Sequence, residues 1–475
     1  MIVASFLAFL LIFVAIGLWS MRRSRHNSID YLLAGRNVPP WLTALSAVAT
    51  NNSGYMFIGL IGYTYATGLA AIWMMLGWIS GDFIASSFVH RQVRLATERH
   101  DVHTFSGLLS RWQGGNYRVL RFISGLLILL FLGTYAAAQL SAGSKALQVL
   151  FGWQHWAGAM MGAVMVLLYS FAGGIRASIW TDAAQSVVMI AAMALLMVVA
   201  LDQLGGWTAF VAGLHAVGPG YMSPFPPVEG FGPWLGPLLF VAGWLCAGFG
   251  VVGQPHIMVR FMALDDAANL QAARAWYYGW FTLFWSAAII VGLGARLLLP
   301  EVESFDAELA LPTLALQLLP EVLVGVILAG IFAATMSTAD SLILSCAAAL
   351  TRDFHWQKQD RYWLTKLGTV AVTLGALGIA LSGNKSVYDL VLDAWGVLAS
   401  AFAPLLTVYA LGLRVSERVA VAMLLAGVAT MYAWSLYGPS AVYAVAPGIS
   451  AGLLVFVAAR LFSGRTTEAP RNLPR

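Results

Sequence analysis

Long apolar tracts separated by short polar gaps recur along the whole chain. Thirteen tracts are long enough to cross a membrane as helices, since a hydrocarbon layer of about 30 Å takes roughly 20 helical residues. They cover residues 2–19, 41–63, 69–89, 122–142, 156–171, 183–201, 235–252, 276–297, 322–350, 363–381, 391–411, 419–436 and 441–462. The pattern predicts an all-α polytopic membrane protein of about 13 transmembrane helices.

The composition excludes a water-soluble protein. Of the 475 residues, 60% are hydrophobic and only 10% are charged, with a mean hydropathy of +0.78, whereas a soluble domain carries about 25% charged residues. The net charge of +5 lies on no aromatic or glycine-rich module, so nucleic acid is not an expected partner. The sequence has no Cys/His metal spacing and no Gly-x-Ser-x-Gly motif, so we expect neither an enzyme nor a cofactor.

Basic residues fall mostly on one side of the predicted spans. Of the 26 Lys and Arg residues, 23 lie in or beside gaps that follow odd-numbered spans, and only Lys145, Arg296 and Lys385 do not. Because cytoplasmic loops carry an excess of Lys and Arg, this bias predicts an outside N-terminus and a cytoplasmic C-terminus. Arginines follow the first span rather than precede it, so we expect a retained helix rather than a secretory signal.

Two predicted spans contain residues that disfavour a continuous helix. Span two has Ala-Thr-Asn-Asn-Ser-Gly-Tyr at 49–55, and span seven has Gly-Phe-Gly-Val-Val-Gly at 248–253. Asn, Ser and Gly favour turns, and freed carbonyls at membrane depth are tolerated only inside the protein or along a cavity. Either stretch alone is more simply explained by close packing or a kink.

The spacing of the two breaks changes that interpretation. Each opens a block of five spans, and because five is odd, the second block has the inverse orientation. Interrupted helices at matching positions of inverted halves predict a secondary transporter with a midplane site. We therefore expect one membrane transport domain over 1–475, with an extra helix and inner loop at 1–40, inverted repeats at 41–201 and 235–411, and two extra helices with a short tail at 412–475.

A cluster of oxygen-bearing side chains lies inside span nine. Ser337 and Thr338 are adjacent, and Asp340 and Ser341 follow them. A lone hydroxyl in a membrane helix usually bonds back to its own backbone, but hydroxyl, carboxylate and carbonyl oxygens together suit a hard cation such as Na⁺. Carbonyls released by a broken helix would complete the shell.

Four other polar residues lie in or near the spans. Asp182, near the inner end of span six, is a candidate for binding a cation, with an ordinary interfacial residue as the alternative. Asp82 in span three is expected to be structural. His256 and Arg260 are expected to anchor the inner end of span seven at the interface.

Six short motifs identify a family. They are Asp-Tyr-Leu-Leu-Ala-Gly-Arg at 30–36, Gly-Gly-Ile at 173–175, Trp-Thr-Asp-Ala-Ala-Gln at 180–185, Gly-Gln-Pro-His at 253–256, Arg-Phe-Met-Ala at 260–263 and Met-Ser-Thr at 336–338. Together they resemble the sodium:solute symporter family, closest to its sodium/proline branch. The resemblance covers nearly the whole chain and implies a fold of the leucine-transporter type, with two inverted five-helix repeats, one extra helix before them and two after.

The resemblance also implies binding residues. The main sodium site would use the carbonyls of Ala49, Asn52 and Ala334 and the hydroxyls of Ser337 and Thr338. An aspartate on the inward sodium path would correspond to Asp182, and a second sodium site would use Asp340 and Ser341. The substrate pocket would be lined by residues near the breaks, namely Asn51, Ser53, Gly54, Tyr55, Tyr135, Ala247 and Val251.

The solute residues depart from those of proline carriers. Asn51 stands where those carriers have an aspartate, and Tyr55 where they have a tryptophan. Ala247 and Val251 stand where large aromatics occur in span seven. A carboxamide does not supply the negative charge of a carboxylate. We therefore expect the sodium site to match the family and the solute site to differ from it.

The predicted function is sodium-coupled import of a small polar organic solute by alternating access. The family branch makes a proline-like amino acid the first candidate. Two alternatives are a nutrient sensor that acts through a separate partner, since no kinase follows the last span, and a proton-coupled carrier with Asp182 or Asp340 as the titrating group. The expected partners are the solute, Na⁺ and the lipid bilayer of a bacterial inner membrane. The sequence does not indicate an oligomeric state.

Overall fold

The computed structural model describes residues 1–20, 22, 27–218, 220–226, 228, 230–299, 305–354, 362–382 and 386–462. The α-helices in chain order are α1 (Ile2–Ser20), α2 (Ser28–Leu33), α3 (Pro40–Phe57), α4 (Gly59–Thr67), α5 (Ile72–Arg99), α6 (Phe105–Arg111), α7 (Arg118–Phe151), α8 (His155–Gln203), α9 (Trp207–Val217), α10 (Leu235–Phe249), α11 (Pro255–Met262), α12 (Leu270–Leu298), α13 (Ala310–Leu318), α14 (Glu321–Ala348), α15 (Tyr362–Ser382), α16 (Val387–Ala410), α17 (Glu417–Tyr437) and α18 (Val445–Phe462). The predicted all-helical class is confirmed.

Eleven helical stretches among these residues are long and apolar enough to cross a membrane. Two of the predicted spans are not among the eleven. The first half of α8, His155–Phe171, is slightly too short, and α3 carries the polar Asn-Asn-Ser stretch of the predicted break. The inner-loop residues 23–26 and the tail 463–475, on which part of the charge argument rests, lie outside the described residues.

Both predicted helix breaks are present. In α3, Ser53 has a φ of 37° and a ψ of 174°, and the chain begins a new helix after Ile58. Beyond α10, a 3-10 turn covers Gly250–Gly253, and Gln254 is extended before Pro255 begins α11. A positive φ is strained for serine, so contacts from neighbouring helices must hold the break in α3.

Two connections differ from the prediction. The gap between spans five and six is helical except at Gly174, where a φ of 57° divides the 49 residues of α8 into two spans. An ideal Cβ on Gly174 would lie 2.4 Å from the Tyr31 carbonyl oxygen, so glycine is required there by space as well as by conformation. The Gly/Pro-rich stretch at 205–233, which lies between two predicted spans, contains α9.

The two most buried spans lie against the breaks. In the most apolar stretches of α14 and α16, 83% of the residues are buried, against 22% in α1 and α18, as expected for peripheral helices beside lipid. The first break packs against α14, and the turn between α10 and α11 packs against α16. The polar cluster of span nine is therefore brought to the broken part of α3.

Two glycines allow helices to approach the second break closely. An ideal Cβ on Gly248 would lie 1.9 Å from the Trp78 carbonyl oxygen of α5. One on Gly253 would lie 2.9 Å from the Leu398 carbonyl oxygen of α16. Backbone atoms cannot yield as a flexible side chain can, so a side chain at either position would push the helices apart.

We expect Gly248→Ala to lower the free energy of unfolding by about 1–3 kcal/mol, because the added methyl group meets a backbone carbonyl. The control is Gly375→Ala in α15, where an added Cβ has no neighbour within 4 Å and the helix gains up to about 1 kcal/mol from the lost flexibility of glycine. Apparent Tm values of the two purified variants in detergent measure the difference. Equal Tm values would contradict the close approach of α5.

Candidate functional site

The break in α3 redirects backbone hydrogen bonds in the middle of the bundle. In a continuous helix, the Gly54 amide would donate to the Thr50 carbonyl. Instead it donates to Gln139 Oε1 at 2.8 Å, and the Tyr55 amide donates to Ser53 Oγ at 3.1 Å. Carbonyls of the preceding turn are therefore available to other helices.

Span nine supplies hydroxyl groups to these carbonyls. In α14, Ser337 Oγ lies 3.2 Å from the Ala49 carbonyl oxygen and 3.1 Å from the Ala334 carbonyl oxygen. Thr338 Oγ1 donates to the Thr50 carbonyl at 3.0 Å. All five residues are buried. Oxygen atoms from two helices thus converge away from water, and such oxygens are suitable ligands for a hard cation.

Four of the five residues predicted to bind sodium are linked at this junction. Ala49, Ala334 and Ser337 are joined directly, and Thr338 reaches the same turn of α3. The predicted ligand of Asn52 is its carbonyl oxygen, while its side chain contacts other groups: its Nδ2 donates to the Val48 carbonyl at 2.9 Å, and its Oδ1 accepts from an indole N–H of α12 at 3.0 Å. Asn52 therefore ties the broken helix to α12.

A buried ion pair lies beside this group. Arg260 Nη2 is 3.2 Å from Asp182 Oδ2, and neither side chain has exposed surface. The carboxylate also accepts from Ser46 Oγ at 2.6 Å, while Arg260 donates to Ser178 Oγ at 2.7 Å and to the His256 carbonyl at 2.8 Å. Additional hydrogen bonds of this kind are needed to offset the desolvation of two buried charges.

Hydroxyl groups connect the ion pair to Ser337. Thr50 Oγ1 lies 3.2 Å from Ser341 Oγ and 3.3 Å from the Ser337 carbonyl oxygen. Ser341 Oγ lies 2.8 Å from Asp340 Oδ1 and accepts a hydrogen bond from Arg260. One continuous network therefore contains the residues predicted for the ion path and those of the main cation group.

This network contains more acidic than basic groups. The carboxylates of Asp182 and Asp340 face one guanidinium, that of Arg260. One oxygen of each carboxylate has no hydrogen-bond partner among the residues that the structure describes. A buried site with two carboxylates and one guanidinium has an excess negative charge when all are ionised, and it favours a cation.

The prediction that His256 and Arg260 anchor a helix at the membrane interface is wrong. Both side chains are fully buried. The His256 ring lies edge-on to Tyr135, with 5.6 Å between ring centroids. The reason is that α11 begins directly after the second break and packs against α3, α5 and α14, so its polar side chains reach the centre of the bundle.

Aromatic side chains fill the region between the two breaks. Tyr55 stacks on Tyr388 with 5.6 Å between ring centroids, and Tyr388 stacks on Tyr63 at 5.3 Å. Trp78 packs on Trp395 at 4.7 Å. The six family motifs do not point to Tyr388, Trp78 or Trp395, because α5 and α16 carry none of them. The only sequence feature that could have indicated these residues is the presence of aromatic side chains within apolar tracts.

Part of the predicted solute site comes together here. Tyr55 and Tyr135 are neighbours, and the Tyr135 hydroxyl lies beside Ser53. At the second break, the Ala247 carbonyl accepts from the indole N–H of α16 at 3.1 Å, and the Val251 carbonyl accepts from the amide three residues later at 2.9 Å. These positions surround the aromatic region from both breaks.

Asn51 and Gly54 are directed to other helices. Asn51 Nδ2 donates to Tyr277 OH of α12 at 2.5 Å. An ideal Cβ on Gly54 would lie 2.5 Å from Thr335 Cγ2 of α14, so Gly54 is a packing position. The predicted solute residues therefore divide into a group beside the aromatic rings and a group that holds α3 in place.

A small cavity, with room for about one water molecule, lies near the ion network. Its lining includes Val259, which precedes Arg260, and Ser345, whose Oγ donates to the Ser341 carbonyl at 2.8 Å. The cavity thus borders residues that adjoin the network.

Known proteins are similar to this chain over most of its length. A model of the sodium:solute symporter family matches residues 31–427. The sodium/proline symporter of Escherichia coli (strain K12) is 30% identical over 451 residues, covering 91% of this chain and 88% of that protein. The sodium/proline symporter of Staphylococcus aureus (strain JH9) is 31% identical over 410 residues, covering 84% and 78%.

Solved structures share the fold. A Na⁺-coupled sialic acid symporter in its substrate-bound outward-open state superposes with a TM-score of 0.81 at 17% identity, covering 99% of both chains. Mhp1, a nucleobase-cation-symport-1 family transporter, gives 0.59 at 17% identity, covering 93% of this chain and 95% of Mhp1. MhsT gives 0.58 at 17% identity, covering 88% and 98%. These likenesses show the fold alone, and it is the predicted leucine-transporter type.

Arg260→Met is expected to destabilise the protein by about 3–5 kcal/mol, because it leaves two carboxylates buried without a counter-charge. Adding Asp182→Asn should restore part of the loss by removing one of those charges. Apparent Tm values of the single and double variants in detergent test this. A double variant no more stable than Arg260→Met would contradict the ion pair.

Proposed function

Because the chain belongs to the sodium:solute symporter family, we propose that it is a sodium-coupled secondary active symporter that imports a small polar organic solute by alternating access. The family is one of transporters rather than enzymes. The proposal includes the solute class, an amino acid of the proline type, and the residues that bind the ion and the solute.

The junction of α3 and α14 carries the proposal. Ser337 Oγ lies within 3.2 Å of carbonyl oxygens from both helices. A sodium ion held by Ala49, Ala334 and Ser337, together with Thr338 and the Asn52 carbonyl, would bind both helices at once. It would therefore favour the conformation in which they are in contact, by as much as its affinities for the two conformations differ.

The same turn of α3 would couple the ion to the solute. The carbonyls of α3 that are proposed to bind sodium, those of Ala49 and Asn52, precede Ser53. Ser53 and Tyr55 belong to the aromatic region proposed to bind the solute. A sodium ion that orders this turn would preform the solute site. By reciprocity, the bound solute would tighten sodium binding by the same factor. Coupled import requires this mutual effect.

The acidic network would form the ion path. Asp182, Asp340 and Ser341 belong to the network that joins the Ser337 group to Arg260, and this network has a carboxylate in excess of its guanidinium. A sodium ion leaving the main site would therefore find further oxygen ligands on its way. The same residues are the proposed positions of a second sodium ion.

The solute class rests on the relatives and on the residues around the two breaks. Two similar proteins are named sodium/proline symporters. In this chain, Ala247 and Val251 are small at the second break, and Tyr388 and Trp395 of α16 contribute large aromatic surfaces instead. Aromatic surfaces of this kind would contact an amino acid with an apolar or cyclic side chain. The proposal also includes the orientation of the protein in a bacterial inner membrane, with the N-terminus outside and the C-terminus in the cytoplasm. It further includes movement between the repeats at 41–201 and 235–411.

Uptake into proteoliposomes tests the function directly. A panel of labelled amino acids, proline among them, is offered under an inward Na⁺ gradient and under an equal K⁺ gradient. Accumulation of one solute with Na⁺ alone is the expected result. Uptake that ignores Na⁺ but follows a pH gradient would indicate a proton-coupled carrier. No uptake of any solute by folded protein would favour a sensor that acts through a partner.

Ser337→Ala and Thr338→Ala should each raise the Na⁺ concentration for half-maximal uptake by about tenfold, the equivalent of roughly 1.4 kcal/mol per lost ligand. The matched control is Thr373→Ala in α15, whose buried hydroxyl donates to its own helix at 2.8 Å and should leave the sodium dependence unchanged. Sodium dependence unaltered in both site variants would exclude these hydroxyls as ligands.

A further inference from the structure

A buried polar stripe runs along α5, apart from the sodium and solute sites. Asp82, Ser86, His90 and Arg94 recur at every fourth position and therefore share one face of the helix. All four are buried, although α5 belongs to an apolar span. Ionisable side chains inside a membrane protein are costly and mark ion or proton pathways.

Within the described part of the chain, no counter-charge contacts Asp82. Neither carboxyl oxygen makes a hydrogen bond of normal length and angle with any residue that the structure describes. The titratable and charged groups that face it are Tyr277, Tyr278 and Arg274, all on α12, while His90 is the next titratable group on its own helix. A buried carboxylate ion that no counter-charge contacts costs several kcal/mol, and binding of a proton would remove that charge.

Arg274 is engaged by other groups. Its Nε donates to Ser86 Oγ at 3.1 Å, its Nη2 donates to the Phe83 carbonyl at 3.2 Å, and its guanidinium lies 4.6 Å from the centre of the Phe83 ring. Ser86 Oγ is also 2.7 Å from Tyr278 OH. The oxygen atoms of Ser86 and Phe83, which could complete a sodium shell beside Asp82, thus already accept hydrogen bonds from the guanidinium of Arg274, itself a cation. A proton needs no such shell, so the chemistry favours a proton.

Tyr277 connects Asp82 to the broken helix. Its hydroxyl oxygen accepts from Asn51 Nδ2 at 2.5 Å, which leaves the phenolic hydrogen free to be donated. An ionised Asp82 would attract that hydrogen, whereas a protonated Asp82 would not require it. The position of the Tyr277 ring, and with it Asn51 in the broken turn of α3, therefore depends on the proton.

We propose that Asp82 is a proton-binding site and that Tyr277 and Asn51 transmit its protonation to the broken turn of α3. The O–H bond forms between a carboxyl oxygen of Asp82 and a proton from water. It breaks when the proton returns to water. The effect on sodium-driven transport rests on the proposed function, but the binding of the proton does not.

Infrared spectroscopy of the full-length protein in lipid tests the binding without any solute. The carboxylic acid C=O band of the wild type is compared with that of Asp82→Asn between about pH 5 and pH 9. We expect one component that shifts in D₂O and is missing from Asp82→Asn. Asp202→Asn, which alters an exposed carboxylate at the end of α8, is the control and should retain that component. Identical spectra of the wild type and Asp82→Asn would overturn the proposal, as would displacement of the component by Na⁺ at constant pH.

Transport assays test the transmission. At a fixed Na⁺ gradient, uptake by the wild type should vary with pH, and this dependence should be lost in Asp82→Asn. Tyr277→Phe should retain the infrared component yet lose the pH dependence, which also provides a test if Asp82→Asn does not fold. Equal pH profiles in the wild type and Tyr277→Phe would overturn transmission through the phenol. Absence of sodium-driven uptake in the wild type would contradict the proposed function and leave the infrared result to decide the proton site.

Discussion

Backbone hydrogen bonding at the break in α3 is the constraint on which the rest of the structure depends. Hydrocarbon offers no water to freed amides and carbonyls, so each must find a partner within the protein. Here the partners are Gln139, the hydroxyl of Ser53 itself, and Thr338 of α14. A helix that supplies such partners must be polar at that depth and enclosed by other helices. The burial of α14 and its cluster of hydroxyls are consequences of the break that it supports.

The second break is tied to the first through charge. Because α11 begins at Pro255, Arg260 is carried to the centre of the bundle, where it meets Asp182 and the hydroxyl groups of α3 and α14. The network therefore joins segments from both predicted repeats. A movement of one repeat relative to the other must change these contacts or carry them along as a unit. Ion binding and domain movement would thus act on the same side chains.

Local features of the sequence predicted the helices and the two breaks, and the family resemblance implied the fold type. Tract lengths gave the helices, the Asn-Asn-Ser-Gly stretch gave the first break, and the spaced glycines gave the second. The partners of buried charges could not be predicted in the same way. Asp182 and Arg260 are 78 positions apart, and which faces of their helices meet depends on the packing of the whole bundle. The same limitation applies to Asn52, whose side chain turns toward α12, and to the aromatic residues of α5 and α16.

The side chains of Asn51 and Asp82 are linked through one phenol, that of Tyr277. The Asn51 amide donates to the Tyr277 hydroxyl, which leaves one phenolic hydrogen for a carboxyl group on the other side. A carboxylate at position 51 would compete with Asp82 for that single hydrogen whenever Asp82 releases its proton, and the two like charges would then repel each other. A carboxamide donates to the phenol instead and carries no charge. A neutral residue in the broken turn therefore lets Asp82 release its proton without a second charge nearby, and the acidic group lies on a helix outside the sodium-binding junction.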